Sequence, residues 1–366
     1  MSLVDRLAEL VSFDTQNPMG DERPLLAKLS ADLQALGAST VDVQTVGENR
    51  GYVYARFGGE TPRLLLNAHV DTVPANSGYS SQPHQLVVRD GRLQGLGTAD
   101  TKGAIAAILE TLEALAGGRA RGQQPSQPFG VLFSGDEEKG GTCIRAFLDS
   151  ATARGLERAI VCEPTGCRVG WRHRGIGAAE AVATGPGGHS SLVDGLDNPI
   201  AILARAAVAL DEMGIAARAQ GPEGFPGICL NVAGISGGIA FNVIPTQATL
   251  MLSVRPAPGT AVAAVLAEAE RRARRATAPH PITWKVQADR PGFQTRDLAG
   301  FEPLLGDPVR RPVDLGFWTE AALLSERGID AVVFGPGDVG QAHAADEHVT
   351  LADLEIAQAA FMRALT

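Results

Sequence analysis

Short apolar runs alternate with amphipathic stretches along most of the chain. The apolar runs lie at 63–69, 130–138, 159–164 and 331–337, and helix-like segments lie at 102–116, 141–153 and 318–328. Strands buried on both faces of a sheet are nearly continuous in apolar residues, and helices between them suit parallel crossover connections. The pattern therefore predicts an α/β fold in which helices cover both sides of a mostly parallel sheet.

The stretch from 175 to 288 has a different rhythm. Its pattern gives a strand at 176–184, a helix at 197–213, strands at 228–236 and 246–255, a helix at 260–276 and a strand at 282–288. This β-α-β-β-α-β order is that of the ferredoxin-like unit. Because the parallel-sheet pattern resumes afterwards, we expect a ferredoxin-like α+β domain at 175–288, inserted into a first domain formed by 1–174 and 289–366.

Composition and charge narrow the range of partners. The chain has 366 residues and a formal net charge of −9. This balance argues against nucleic acid and anionic membranes as main partners, because both require clustered lysine and arginine. No apolar run approaches the about 20 residues that span a bilayer, and no signal peptide is recognisable. With four scattered cysteines and no CxxC spacing, the chain is expected to be cytoplasmic with reduced thiols.

Acidic and imidazole groups follow the predicted strands at their carboxyl ends. His69 and Asp71 close the first run, Glu137 and Glu138 close the second, and Glu163 closes the third. In open α/β sheets the active crevice lies at the carboxyl ends of the strands. We therefore expect these side chains to meet at one edge of the sheet.

The spacing of these groups is typical of a metal site. In the H-x-D pair His69 and Asp71 lie on the same face of an extended chain, so the carboxylate can orient the imidazole toward a metal. Glu137 and Glu138 place two like charges at the end of a buried strand. This arrangement costs Coulomb energy unless a cation or solvent offsets it.

Two further residues complete the candidate ligand set. Asp100 lies in a glycine-containing loop before a helix, and His343 lies in GPGDVGQAHAADEH. Imidazoles and carboxylates without thiolate suit Zn, Co or Mn rather than a closed structural zinc site. Two histidines and three carboxylates leave each of two metals undersaturated, and open positions of that kind are what a reactive water requires.

Several segments along nearly the whole chain resemble the M20 metallopeptidase family, and within it the acetylornithine deacetylase branch, which includes acetylcitrulline deacetylase. They are NAHVDTVP (67–74), GLGTADTKGA (95–104), FSGDEEKGG (133–141), CEPTG (162–166), GPGGHSS (185–191), FNVIP (241–245), GFWTEAALL (316–324) and GPGDVGQAHAADEH (335–348). They occur in the family's order, and the last two are particularly similar to the acetylornithine and acetylcitrulline enzymes.

The resemblance implies a role for each ligand candidate. His69 and Glu163 would complete one metal site, Glu138 and His343 would complete the other, and Asp100 would bridge the two. The implied cofactors are two divalent metal ions, Zn or Co.

The same resemblance implies the catalytic groups. Glu137 would be the general base, and Asp71 would orient His69. His189 would stabilise the oxyanion, acting from a neighbouring subunit or after domain closure. Glu347 is a candidate partner of His343.

Three residues are candidates for substrate binding. Arg255 resembles the family arginine that grips the substrate α-carboxylate, a task that suits a bidentate guanidinium. Asn242 is a further candidate on the substrate side. Glu320 is positioned in sequence to face a cationic side chain such as that of ornithine, although the acetylcitrulline enzymes are similar here.

The implied function is hydrolysis of a small N-acyl amino acid, in the first place N-acetylornithine and in the second N-acetylcitrulline, to acetate and the free amino acid in arginine biosynthesis. One alternative is another M20 hydrolase, such as a succinyl-diaminopimelate desuccinylase, an acetyl-lysine deacetylase, or a di- or carboxypeptidase. Another is a non-catalytic binding protein on the same fold, which would require degraded ligands. The inserted domain would act as a lid, and both a monomer and a homodimer formed through it are open.

Overall fold

A computed structural model describes residues 1–59, 61–119 and 125–366. The helices are α1 (Leu3–Val11), α2 (Arg23–Ala35), α3 (Gly103–Arg119), α4 (Thr142–Asp149), α5 (Pro199–Ala217), α6 (Val262–Thr277), α7 (Glu302–Leu305), α8 (Ala321–Glu326) and α9 (Leu351–Leu365). Within the described ranges, none of the helices has the length and apolar character needed to cross a membrane.

The strands are short and spread over the chain. They are β1 (Thr40–Thr45), β2 (Gly51–Phe57), β3 (Leu64–His69), β4 (Val87–Arg89), β5 (Arg92–Gln94), β6 (Phe129–Ser134), β7 (Arg158–Val161), β8 (Gly170–His173), β9 (Ile176–Thr184), β10 (Gly188–His189), β11 (Asn231–Gly237), β12 (Val243–Ile244), β13 (Gln247–Val254), β14 (Thr283–Arg290), β15 (Phe293–Gln294), β16 (Val313–Leu315), β17 (Asp330–Val333) and β18 (His348–Thr350).

The chain forms two compact units. The first consists of Met1–Trp171, Thr295–Val313 and Thr319–Thr366, and the second consists of Arg172–Gln294 and Asp314–Trp318. The second unit therefore interrupts the first twice, once by a long segment and once by five residues.

The central sheet of the first unit has the strand order β1-β2-β6-β3-β7-β17. Its middle strands β6, β3, β7 and β17 run parallel, while β1 and β2 are antiparallel to their neighbours. All residues of β3, β6 and β17 are buried. The predicted α/β class with a mostly parallel sheet is confirmed, and the continuous apolar runs correspond to strands covered on both faces.

Two helices of the first unit close one side of its core. In α3 the residues from 103 to 109 are all buried, and α3 packs against α9. Ile108 of α3 and Phe361 of α9 belong to the same apolar core. A helix that is apolar all round is a buried helix. At the start of the unit, Ser2 and Asp5 form a capping box at the N-terminus of α1.

The second unit has the order β9-α5-β11-β13-α6-β14, with the sheet order β11-β13-β9-β14. All neighbouring strands are antiparallel. In β9 and β13, buried and less buried residues alternate, because α5 and α6 pack against the sheet and share its core. This is the predicted ferredoxin-like order, and the antiparallel α+β character of this part of the fold is confirmed.

Candidate metal centre

The parallel strands of the first unit bring the candidate ligands to one edge. His69 is the last residue of β3 and lies opposite Ser134, the last residue of β6. Glu137 and Glu138 follow β6 by a few residues, and Glu163 follows β7. The structure thus places these groups at the carboxyl ends of adjacent parallel strands, where α/β sheets bind their ligands.

A first group of potential ligands consists of His69, Asp100 and Glu163. The Nε2 atom of His69 lies 2.9 Å from Oδ1 of Asp100 and 4.0 Å from Oε2 of Glu163. His69 and Glu163 are buried to 2% and 5% exposure. The ring of His69 is held from its other side, since Nδ1 lies 3.0 Å from the backbone oxygen of Asp71 and 3.4 Å from its Oδ1.

A second group consists of Asp100, Glu138 and His343. The Nε2 atom of His343 lies 3.1 Å from Oε1 of Glu138 and 3.3 Å from Oδ2 of Asp100. His343 has a left-handed backbone with φ of 62°, a conformation that is uncommon outside glycine and often marks a functional position. Asp100 therefore faces one histidine with each of its two carboxylate oxygens.

Negative charge is concentrated at this edge. Burial raises the pKa of Glu137, Glu138 and Glu163 above the ordinary glutamate value, and each of them has another carboxylate nearby. Burial also opposes ionisation of Asp100, but its hydrogen bonds with His343 and His69 lower its pKa. Buried carboxylates without compensation are costly, and a bound cation would offset their repulsion.

The donor atoms fit a pair of divalent metal ions. In each group the three ligand atoms lie within 4.8 Å of one another, so each set can converge on one ion. All donors are imidazole nitrogen or carboxylate oxygen, the chemistry that Zn, Co and Mn accept. Asp100 belongs to both groups, and in the first unit it is the residue that connects them.

Asp71 connects His69 to the segment that follows β6 and carries Glu137 and Glu138. Its Oδ1 accepts a hydrogen bond from the backbone N–H of Glu137 at 3.1 Å, and its Oδ2 accepts one from the N–H of Glu138 at 3.2 Å. The same carboxylate lies beside His69. Asp71 thus fixes the backbone of Glu137 and Glu138, in addition to orienting the imidazole of His69 as the sequence predicts.

Sequence reasoning missed the residues behind Asp71. The side-chain amide of Asn17 donates to Oδ2 of Asp71 and to Oδ1 of Asp136, both at 3.0 Å. Arg50 pairs with the fully buried Glu22 at 3.1 Å, and Glu22 accepts from the backbone N–H of Asp136. These contacts join segments far apart in the chain, so no local sequence pattern predicts them.

Glu347 contacts the Asp100 loop. Its carboxylate accepts hydrogen bonds from the backbone N–H groups of Gly97 and Ala99, both at 2.8 Å, and of Asp100 at 3.0 Å. Burial raises the pKa of Glu347 to about 7. The carboxylate of Glu347 therefore holds the loop that carries Asp100, in place of the expected contact with His343.

Replacing Glu347 by glutamine is expected to weaken both the fold and metal binding. The amide oxygen can still accept from Ala99 and Asp100, but the amide nitrogen would face the N–H of Gly97, and two donors repel. We expect a loss of about 1–3 kcal/mol in the free energy of unfolding and weaker metal affinity, measured by urea denaturation and metal titration. The control Glu355→Gln changes an exposed glutamate of α9, and equal effects in both variants would contradict this role.

Glu320 is buried at the end of β6. Its side chain is 1% exposed, and Oε2 accepts a hydrogen bond of 2.7 Å from the hydroxyl of Ser134. Burial raises its pKa to about 7. The carboxylate is thus held at the end of β6, and its contact with a cationic substrate side chain stays a prediction.

Gly335 is required by close packing in the first unit. A Cβ atom at this position would lie 2.7 Å from the backbone oxygen of Glu163, a separation that carbon and oxygen do not tolerate. The glycine therefore lets β17 approach the segment that carries Glu163.

His189 ends β10, and Asn242 directly precedes β12, the strand that pairs with β10 in the second unit. His189 pairs with Val243 between β10 and β12, and the backbone oxygen of Asn242 accepts from the N–H of Ser190 at 3.1 Å. The N–H of Ser191 donates to Nδ1 of His189 at 3.2 Å. Since Nδ1 is an acceptor, the neutral ring carries its proton on Nε2, the form that can donate to an oxyanion.

Arg255 directly follows β13 in the second unit. Its backbone N–H donates to the oxygen of Ile228 at 2.8 Å, and its own oxygen accepts from Nη1 of Arg174 at 2.8 Å. The backbone of Arg255 is thus fixed while its guanidinium extends from the end of the strand.

Comparisons with known proteins agree with this geometry. The model of peptidase family M20/M25/M40 matches residues 65–366. The N-acetyl-L-citrulline deacetylase of Xanthomonas campestris pv. campestris is 36% identical, over 97% of this chain and 94% of that protein. The acetylornithine deacetylase of Myxococcus xanthus is 31% identical, over 98% and 95%. A probable carboxypeptidase of Aspergillus terreus is 32% identical, over 84% of this chain and 72% of that protein.

Solved structures share the fold. An M20 family metallo-carboxypeptidase from Sulfolobus solfataricus superposes with a TM-score of 0.80 at 17% identity, covering 99% of both chains. A Bacillus subtilis protein described as a dinuclear metal binding peptidase of the M20 family gives a TM-score of 0.74 at 17% identity, over 99% of this chain and 96% of that one. Together with the family match over most of the chain, these findings show that the chain belongs to peptidase family M20 and is a metallo-hydrolase.

Proposed function

We propose that the chain is a metal-dependent deacylase that hydrolyses N-acetylornithine or N-acetylcitrulline to acetate and the free amino acid, a reaction of arginine biosynthesis. The observation that carries the proposal is the pair of ligand groups that share Asp100, with the buried Glu137 beside them. The two deacetylases that match nearly the whole chain support the choice of substrate.

The proposed cofactors are two divalent metal ions, zinc or cobalt. His69 and Glu163 would hold one ion, Glu138 and His343 would hold the other, and Asp100 would hold both. When bound, such ions polarise the amide carbonyl and lower the pKa of a water molecule. The mixed imidazole and carboxylate donors support this assignment.

Glu137 is proposed to move the proton. It belongs to neither ligand group, and Asp71 fixes its backbone. As a general base, its carboxylate accepts a proton from the attacking water while the new C–O bond forms. As a general acid, it then passes that proton to the amide nitrogen while the C–N bond breaks, which releases the amine and a carboxylate.

Residues of the second unit are proposed to bind the substrate. The Nε2–H of His189 would stabilise negative charge on the carbonyl oxygen, as its tautomer allows. Arg255 would bind the α-carboxylate, and Asn242, which precedes the strand paired with His189, would contact the acylated end. A cytoplasmic location, a lid function and a homodimer formed through this unit stay predictions.

The probable carboxypeptidases among the relatives support a second candidate, hydrolysis of a peptide bond by the same centre. One of them is 32% identical over 84% of the chain, which is close to the deacetylase values. The metal groups do not separate these reactions, because each is attack of water on an amide.

A substrate panel tests the proposed function. With zinc or cobalt supplied, we expect kcat/KM for N-acetylornithine or N-acetylcitrulline to exceed that for N-succinyl-diaminopimelate, N-acetyl-lysine and dipeptides by at least about ten-fold. A preference for a dipeptide would replace the deacylase proposal by the peptidase. Removal of metal with a chelator is expected to abolish turnover, and its return to restore it.

A further inference from the structure

A cavity of about 540 Å³ lies within the second unit. Phe225, Phe317 and Trp318 supply aromatic walls, and Arg255 and Cys229 also line it. Segment 314–318 belongs to this unit although the chain has by then returned to the first one. A cavity of this size with mostly apolar walls and few polar groups is suited to a small molecule.

Arg255 is an unbalanced cation in this cavity. Among the described residues its guanidinium has neither a hydrogen-bond nor an ion-pair partner. Burial lowers the pKa of Arg255, and the nearby positive charge of Arg290 lowers it further. A guanidinium in such surroundings attracts a carboxylate that can accept two parallel hydrogen bonds.

The carboxylate in the wall of the cavity is already neutralised. Of the residues that line the cavity, Asp314 alone is acidic. Its Oδ1 accepts from Nε of Arg172 at 2.5 Å, and its Oδ2 accepts from Nη2 of the same arginine at 3.0 Å. With both oxygens engaged, no lining carboxylate is free to receive a ligand ammonium group.

Arginine side chains also lie over the aromatic rings of the cavity. The guanidinium of Arg172 lies 4.9 Å from the ring centre of Phe225, and that of Arg290 lies 4.9 Å from the ring centre of Trp318. Arg174 also faces Phe225, at 5.3 Å. The charge of Arg172 is balanced by Asp314, but Arg174 and Arg255 line the cavity as cations. The cavity thus combines apolar surface with a positive potential.

We propose that this cavity recognises the amino-acid part of the substrate and selects a side chain without positive charge. Arg255 binds the α-carboxylate, and the aromatic walls receive the uncharged side chain, so that N-acetylcitrulline is preferred to N-acetylornithine. The inference rests on the proposed function for the identity of the ligand. The two compounds have the same aliphatic chain and differ in a neutral ureido group against an ammonium group, which the positive potential disfavours.

Cys229 provides a direct readout of occupancy. It is the exposed one of the chain's four cysteines, while Cys143, Cys162 and Cys167 are buried. In the full-length, metal-loaded Glu137→Gln variant, the rate of alkylation of Cys229 by iodoacetamide is followed by mass spectrometry. We expect N-acetylcitrulline at about 10 mM to slow alkylation, and N-acetylornithine to require at least about ten-fold higher concentration for equal protection, a difference of about 1.4 kcal/mol.

Two variants sharpen the test. Arg255→Gln is expected to remove protection by both compounds, whereas Arg275→Gln, an exposed arginine of α6, is expected to leave it unchanged. Absence of protection by N-acetylcitrulline, or equal protection by N-acetylornithine, would overturn the proposal. If the wild type hydrolyses both compounds but neither protects Cys229, the role of the cavity is contradicted and the deacylase proposal is retained. If N-acetylcitrulline protects Cys229 but the wild type hydrolyses neither compound, the deacylase proposal is contradicted and binding in the cavity is retained.

Discussion

Replacing Glu137 by glutamine is expected to lower kcat by a factor of about 100 to 10,000, the range that general acid–base catalysis supplies, while metal uptake stays intact. Glutamine has nearly the same shape, and Glu137 lies outside both ligand groups. Its backbone N–H still donates to Asp71, so the Glu138 ligand stays in position. The measurements are kcat on the preferred substrate and metal content by elemental analysis.

The control for Glu137 is Glu326→Gln, which changes an exposed glutamate at the end of α8. Both proteins should bind the same amount of metal and unfold at similar temperatures, and Glu137→Gln alone should be inactive. A Glu137→Gln protein that turns over substrate within a few-fold of the wild type would remove Glu137 from the mechanism. Lost activity together with lost metal would show that it acts through the ligands instead.

Replacing Asp100 by asparagine is expected to release both metal ions and abolish activity. Each of its carboxylate oxygens faces a different ligand group, so the change removes the shared negative charge from both sites at once. We expect metal affinity to fall by more than the 10- to 100-fold that is typical when an outer contact is lost. Metal titration under equilibrium dialysis measures the stoichiometry and the affinity.

A second variant, in which only one of the two metal sites loses a ligand, shows whether the effect of Asp100 extends to both sites. His343→Ala removes a ligand from the second group only, so it should leave one ion bound at the His69 group, whereas Asp100→Asn should affect both. Asp211→Asn, on the exposed surface of α5, serves as the neutral control. If the Asp100→Asn variant still binds two ions per chain, Asp100 is not a ligand that both metal sites share.

The strands and helices of both units could largely be predicted from the sequence, because buried segments differ from exposed ones in their pattern of apolar residues. Strands such as β3 and β6 lie between layers of helix, so nearly every residue in them is apolar, and their polar ends mark the edge of the sheet. The order of elements from β9 to β14 was readable for a related reason, since one face of that sheet is less buried and its strands alternate.

Hydrogen bonds between distant segments could not be predicted in this way. Asn17 reaches Asp71, and Glu347 reaches the Asp100 loop, yet each is an ordinary polar residue in its own neighbourhood. Glu320 is a further example, because its sequence neighbours do not indicate the hydrogen bond that its buried carboxylate accepts from Ser134. Periodicity reports which face is buried, but the partner of a buried polar group is fixed only by the folded topology.

The order of the ligands along the chain separates the two metal sites during synthesis. Every member of the first group is present once residue 163 has been made, whereas the second group waits for His343, beyond the whole segment from 172 to 294. Closing the longer loop also costs more chain entropy. Both groups nevertheless share the Asp100 loop, which is held by Glu347 of the C-terminal part. Neither group therefore reaches its final geometry until that part of the first unit has docked.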